Sequence, residues 1–295
     1  MSAGDARERC LAYVEAAFRR ELQSEAPDTA LLSIVLGALE APLSRKDAEA
    51  WPEDLPEQVQ RHVAAFAAWV EASPAWLDGG AAGPAKVKAI ADAVWSKLQK
   101  GFSKDVLHAQ HVYNFAALLL PAGDPAAGGR AARRQLDCAG VVTTTYAACQ
   151  ALARSAAHAD LGACRMQISE DHCWLQLGNA APRDTHRDSS VEVTTDTAAK
   201  RGLPVDSDAW QGWLYCGGRA TLCTPRQAVA ALVVSLDPTI TKGKKGVDSE
   251  HLQEVQGRLL SMVLSEFPAA LYPAALCTLA DLREVRPVFF LITSR

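Results

Sequence analysis

Only one stretch of this chain alternates like β-strands, and it lies between two long runs of helical spacing. Arg165 to Ile168, Cys173 to Leu177 and Val191 to Thr194 are short and strand-like. Trp213-Leu214-Tyr215-Cys216, then Gly217-Gly218, then Arg219 to Cys223 reads as a hairpin, because paired glycines supply the positive φ angles of a two-residue turn. Before this stretch, apolar residues recur at three and four. Leu11, Val14, Ala17, Phe18 and Leu22 form one stripe, and Leu32, Val35, Leu36 and Leu39 a second. Val59, Val63, Phe66 and Val70 form a third, and Val87, Ile90, Val94, Trp95 and Leu98 a fourth. A fifth helix is expected from Lys104 to about Leu119, and a small-residue helix from about Val142 to Arg154. Beyond the strands, Thr224 is a good N-cap, Pro225 fits the first helical position and Gln227 completes a capping box. Val229, Leu232, Val233 and Leu236 line that helix. Leu252, Val255, Leu259, Met262 and Val263 line the next, and Pro273 to Leu282 makes another. The expected class is α+β, mainly helical, with a small antiparallel sheet.

Composition sets outer bounds. Hydrophobic residues make up 49% and charged residues 22% of 295, as in a globular protein of one large domain or two ordinary ones. A net charge of -4 gives no global field for nucleic acid. Basic residues cluster at Arg130–Arg134 and Lys242–Lys245, read as solvated loops with nuclear import or DNA contact as the alternative. Lys242-Gly243-Lys244-Lys245-Gly246 lacks the P-loop spacing and a Ser or Thr after its lysines. The loop from Pro121 to Gly129 has a composition that favours disorder. No run approaches the ~18 apolar residues of a membrane span. The start, Met1 to Asp5, lacks the order of a secretory signal. The eight cysteines are irregularly spaced without a CxxC pair, so reduced thiols are expected, in the cytosol or nucleus.

The chemistry-bearing stretch begins at Asp137-Cys138-Ala139-Gly140. A thiol at a helix N-terminus has its thiolate favoured by the helix dipole. A histidine on a following strand can act as base, and an acid on the next can orient it. Cys, helix, His-x-Trp on a strand and then an acid is the order of a transglutaminase-like cysteine-protease core. Cys138, His172 and Glu192 occupy roughly those places. The pattern is imperfect: Asp137 stands where that core has a Gly-x-Cys context, and by count from the helix Ala139 fits the nucleophile position as well as Cys138. His108-x-x-His111 has a spacing that binds metal on a helix, without a third ligand. His158-Ala159-Asp160 reads as a turn. Trp95 and Trp174 read as core residues. Ser169-Glu170-Asp171 has a plain alternative as a solvated strand end.

At Ser169-Glu170-Asp171-His172-Cys173-Trp174 the chain resembles the menin family of nuclear scaffolds and tumour suppressors. Other segments agree in order: Pro27-Asp28 with Leu31 to Gly37, Val87-Lys88 with Asp92 and Trp95, Lys104-Asp105, and Ala148-Cys149-Gln150-Ala151-Leu152. Trp213-Leu214-Tyr215, Asp237-Pro238, and Tyr272-Pro273 with Leu279 to Leu282 complete the set. The resemblance implies a helical N-terminal region at residues 1–85 and a transglutaminase-like "thumb" at 86–223. It further implies the start of a "palm" of tetratricopeptide-type helix pairs at 224–287, followed by a divergent tail at 288–295.

In that family the thumb has lost its protease chemistry, and a cavity between thumb and palm binds short peptides. The implied partners are the N-terminal peptide of mixed-lineage-leukaemia-type histone H3 lysine-4 methyltransferases, the Jun-family factor JunD and lens epithelium-derived growth factor, with chromatin reached indirectly and no membrane. Ser169, Glu170, Asp171, His172 and Tyr272 are the implied peptide-binding residues. Ala231, Val234, Ser235, Ala274 and Thr278 depart from the family's cavity, two of them by losing an anchor-gripping Phe or Met side chain. The leading expectation is therefore a non-enzymatic nuclear scaffold that regulates transcription, with no cofactor and no metal. The alternatives are a residual cysteine hydrolase on Cys138, His172 and Glu192, and a fragment that exposes apolar palm surface.

Overall fold

Ten α-helices, a 3-10 helix at Ala156–Ala163 and six short strands are formed by the residues described in the computed structural model, which are 3–44, 50–73, 77, 83–98, 110–121, 123–124, 136–178, 189–205, 207–215, 220–240, 247–266 and 272–285. The helices are α1 (Ala3–Leu22), α2 (Thr29–Leu43), α3 (Leu55–Glu71), α4 (Gly83–Trp95), α5 (Val112–Ala117), α6 (Cys138–Leu152), α7 (Ser207–Gly212), α8 (Pro225–Val234), α9 (Glu250–Glu266) and α10 (Pro273–Val285). The strands are β1 (Cys164–Ile168), β2 (Cys173–Leu177), β3 (Ser190–Val191), β4 (Thr221–Leu222), β5 (Thr239–Ile240) and β6 (Val247–Asp248). The protein is mainly helical with a small antiparallel sheet. Among the described residues no helix is long and apolar enough to cross a membrane.

The chain divides into two compact units that are each discontinuous in sequence. One holds residues 1–27, 39–55 and 225–295, and the other 28–38 and 56–224. In the first unit α1 packs on α9, and α8, α9 and α10 pack on one another. Helix ends leave carbonyls without intrahelical partners. At the end of α8 the buried Gln256 side chain supplies them, its amide donating to Val233 O at 3.0 Å and Leu236 O at 2.8 Å. Arg258 bridges Glu15 and Glu254 on the α1–α9 seam.

In the second unit the sheet order is β3-β2-β1-β4, all antiparallel. α6 is buried along nearly its whole length, because small residues (Ala, Gly, Thr) let it press against α4, α5, β1 and β2. Trp174 on β2 is wholly buried, and its indole N–H donates to Gln167 Oε1 across the β1–β2 ladder at 3.0 Å. Trp95 at the end of α4 donates to Val193 O at 2.8 Å, and Arg201 lies over its ring at 5.4 Å. Gly202 beside them has φ +82, and a Cβ there would meet Lys88 Cβ at 2.6 Å. Left-handed backbone costs an L-residue about 1–2 kcal/mol before any clash. Gly202→Ala is therefore expected to destabilise this unit by about 2–3 kcal/mol. A urea midpoint unchanged from wild type would refute that strain.

Three sequence expectations are corrected. The fifth helix is short in its described part, because His111 is an extended N-cap rather than a helical residue. Its N–H donates to Asn114 Oδ1 at 3.3 Å, and the next N–H, that of Val112, donates to Ser33 Oγ at 2.9 Å. His111 thus has no place on a helical metal-binding face, and residues 104–109, with His108, lie outside the described residues. The expected hairpin is not formed by its described residues: Thr221–Leu222 pairs with β1, at Ile168↔Thr221 and Gln167↔Leu222. Residues 213–215 instead run beside Glu170 and Asp171, and 216–219 are outside the described set. The third strand is cut to Ser190–Val191, because Glu192 N–H turns to Leu203 O at 2.9 Å. The basic loops at 130–134 and 242–245, most of the loop from Pro121 to Gly129, and the tail at 288–295 also lie outside the described residues.

Candidate functional site

Asp137 and the turn between β1 and β2 build the site. Asp137 caps α6 by accepting Gly140 N–H at 2.8 Å, which makes Cys138 the first residue of the helix. Register Ile168↔Cys173 leaves Ser169 to His172 as a four-residue turn at the same end of the sheet. The turn is locked from within. Ser169 N–H donates to His172 O at 2.8 Å, and His172 N–H donates to Ser169 Oγ at 2.9 Å. The Ser169 hydroxyl lies 3.0 Å from Asp171 Oδ1. Leu214 N–H donates to Asp171 Oδ1 at 2.9 Å, and Glu170 N–H to Leu214 O at 2.9 Å. These contacts bring Trp213 over the turn, with its ring 4.2 Å from His172 and 4.8 Å from Trp174.

The half-buried Cys138 thiol meets this cluster from the α6 side, hydrogen-bonded to both Cys173 and His172. The Cys173 hydrogen bond, then the His172 hydrogen bond and charge, and the Ala139 N–H hold the Cys138 thiol down from 9.0 to about 5, against the opposing effect of burial. The same hydrogen bond, with burial, pushes the Cys173 thiol up. Asp171 sits below the ordinary carboxylate value, chiefly through Leu214 N–H. Glu192 does not complete a triad by its contacts. Its Oε1 takes Thr194 N–H at 2.6 Å and the Thr194 hydroxyl at 2.5 Å, both within its own loop.

Of the peptide-binding residues inferred from sequence, Ser169, Glu170, Asp171 and His172 share this one turn. Ser169 is buried and spent on the turn, Glu170 and Asp171 are exposed, and His172 is half-buried. Tyr272 is buried in the other unit, just ahead of α10. Ala231 and Val234 lie on α8, and Ala274 and Thr278 on α10, where the Thr278 hydroxyl returns to Ala274 O at 3.0 Å. Cys173 and Trp213 were missed as site residues. Cys173 could have been found as the neighbour of His172, since residues at a strand's first position reach the same helix end.

The sequence pattern of the menin family matches residues 64–294, well over half of the 295. The chain belongs to the menin family. Its fold is similar to a solved structure described as the crystal structure of menin that reveals the binding site for Mixed Lineage Leukemia (MLL) protein. The TM-score is 0.66 and the identity 29%, over 97% of this chain. The chain spans 58% of that menin chain. The family read from the separated sequence segments is the one found.

Proposed function

We propose that this chain is a non-enzymatic, nuclear menin-type scaffold. It binds short peptide motifs of transcriptional regulators on the surface of a transglutaminase-like thumb, residues 86–223, with tetratricopeptide-type helix pairs beginning at 224. Its first partner is the N-terminal peptide of an MLL-type histone H3 lysine-4 methyltransferase, through which it reaches chromatin and regulates transcription. A Jun-family factor and lens epithelium-derived growth factor are the further partners. The observation that carries this reading is the exposed Glu170–Asp171 pair beside the His172–Trp213 ring contact, on a turn fixed by its own internal hydrogen bonds and by two to Leu214. Carboxylates next to an aromatic face suit a peptide with a basic residue beside an apolar anchor. Membership of the menin family, and the MLL site of the similar solved menin, support the choice of partner.

Titration calorimetry with that methyltransferase peptide tests it. Binding is expected, and Trp213→Ala is expected to weaken it by about 30-fold, the ~2 kcal/mol of an aromatic hot spot. Glu170→Gln should weaken it by less, since an exposed charge contributes ~1 kcal/mol or below. Absence of binding at high micromolar peptide overturns the reading. Tyr272 belongs to the other unit, and the proposal stands on the turn alone.

A second reading is favoured by the Cys138–His172 contact: a cysteine hydrolase or transglutaminase with Glu192 as the acid. The Thr194 contacts of Glu192 weigh against it. On the scaffold reading, ester hydrolysis and amine incorporation by the wild-type chain equal those of Cys138→Ser. Turnover that is lost in Cys138→Ser would favour the hydrolase.

A further inference from the structure

The site holds a second sulfur that neither scaffolding nor hydrolysis uses. Cys138 opens α6 and Cys173 opens β2, two elements packed together, and the two side chains are hydrogen-bonded. Their surroundings differ in the way that a reacting thiol and a resolving thiol differ. Cys138 is half-buried, lies at a helix N-terminus, and has the Ala139 N–H and the His172 ring against its sulfur. Cys173 is 5% exposed, behind it. Low-pKa, accessible thiols next to a second cysteine are the ones that peroxides oxidise reversibly.

We propose that Cys138 and Cys173 are a peroxide-responsive thiol pair, with Cys138 the residue attacked and Cys173 the residue that resolves it to a disulfide. A hydroperoxide is the oxidant. The Cys138 thiolate attacks one peroxide oxygen and the O–O bond breaks. With hydrogen peroxide, hydroxide leaves and is protonated to water, and Cys138 becomes a sulfenic acid. The Cys173 sulfur then attacks Cys138 Sγ. The S–S bond forms, the S–O bond breaks, and hydroxide leaves as water with the Cys173 proton. In sum two thiols are oxidised to one disulfide and one hydrogen peroxide is reduced to two waters. The disulfide removes the thiolate to which His172 is hydrogen-bonded.

The chain carries its own control. Cys149 and Cys164 form another hydrogen-bonded pair, but they are 0% and 1% exposed, on α6 and β1. Proximity alone would predict oxidation of both pairs. Access predicts only the first.

The full-length chain is treated with hydrogen peroxide, its free thiols are blocked with N-ethylmaleimide, and it is digested with trypsin without reductant. Cleavage after Arg134, Arg154, Arg165 and Arg183 puts Cys138 and Cys149 in peptide 135–154, Cys164 in 155–165 and Cys173 in 166–183. The expected product is 135–154 linked to 166–183, with fragmentation placing the bond at Cys138, and dithiothreitol reverses it. In Cys173→Ser, dimedone is expected to label Cys138 as a sulfenic acid. In Cys138→Ser, folded by circular dichroism, oxidation of Cys173 should slow by about tenfold or more. A disulfide through Cys149 overturns the proposal. So does passage of Cys138 to sulfinic acid while Cys173 stays alkylatable, or oxidation of Cys173 in Cys138→Ser at the wild-type rate.

Discussion

Trp174→Ala is expected to cost the sheet-containing unit about 4–6 kcal/mol, enough to leave much of it unfolded under ordinary conditions. Two losses combine. Trp174 is wholly buried and heads the largest fully buried side chains, so its removal opens a cavity worth ~3–5 kcal/mol. Its indole N–H also satisfies Gln167 Oε1, and Gln167 is 2% exposed. An amide oxygen left buried without its donor costs a further ~1–3 kcal/mol, which relaxation around the cavity partly offsets. Trp174→Phe separates the two, since it keeps most of the volume and loses the donor. It should cost less than half as much as Trp174→Ala. Urea denaturation, followed by a signal from this unit because two compact units need not unfold together, measures both. A loss below ~1 kcal/mol for Trp174→Ala would mean that the indole is not a packing centre.

The helical skeleton was legible because each stripe satisfies a local rule. Leu32, Val35, Leu36 and Leu39 are all fully buried, as are Val229, Leu232, Val233 and Leu236 to within 1%, and α8 begins at Pro225. The errors arose where a non-local contact outweighs a local signal. Gly217-Gly218 advertises a tight turn, yet turn residues do not choose a partner, and Cys223 N–H pairs with Met166 O at 2.8 Å beyond β4. The segment read as its other arm is held by Asp171 and Glu170 instead. His111 belongs to a helical spacing with His108, but Ser33 claims the next N–H and fixes the helix start after it. Close approach explains why that start is fixed. A Cβ on Gly37 would meet Tyr113 Cβ at 2.4 Å, so α2 and this segment pass almost backbone to backbone.

At the site, sequence order located the cysteine, the histidine and the strand, but order carries no register. Counting from the helix left Cys138 and Ala139 as equal candidates. The Asp137 cap decides between them by starting the helix at Cys138, whose sulfur then reaches His172. Glu192 has the right place in the order, but its carboxylate closes its own loop through Thr194. A cysteine next to a histidine on a strand ordinarily points to the opposite face, so strand spacing gives no signal for Cys173 at this site. Both residues reach Cys138 because His172 ends the turn and Cys173 opens the strand, where strict alternation has not begun.

The rate at which folded Cys138 reacts with iodoacetamide should be nearly independent of pH from neutrality down to about 5, where an ordinary thiol loses tenfold per unit. The shape matters more than the size. At pH 6 a thiol at the ordinary value of 9.0 is only ~0.1% thiolate, so near-full ionisation of Cys138 is a gain of roughly 1,000-fold. A lower pKa also makes a weaker nucleophile, and a Brønsted slope of ~0.4–0.5 over four units removes ~40–100-fold of that gain. The net advantage at pH 6 is then only about ten- to twentyfold, and above pH 9 folded Cys138 is slower than the same thiol in the urea-unfolded chain. The two profiles must therefore cross. The hydrogen bond from Cys173 is the largest cause of the shift, so Cys173→Ala should move the midpoint upward by more than His172→Gln does. Stability carries the same sign. Because folding lowers this pKa, the stabilisation from Cys138 is complete above the unfolded thiol's value near 9 and is lost as pH falls through about 5. Between those limits wild type should gain stability over Cys138→Ser as the pH rises. A reaction midpoint at the ordinary thiol value, with no crossing, would show that the proton sits on Cys138 and would take the thiolate away from both the hydrolase reading and the peroxide chemistry.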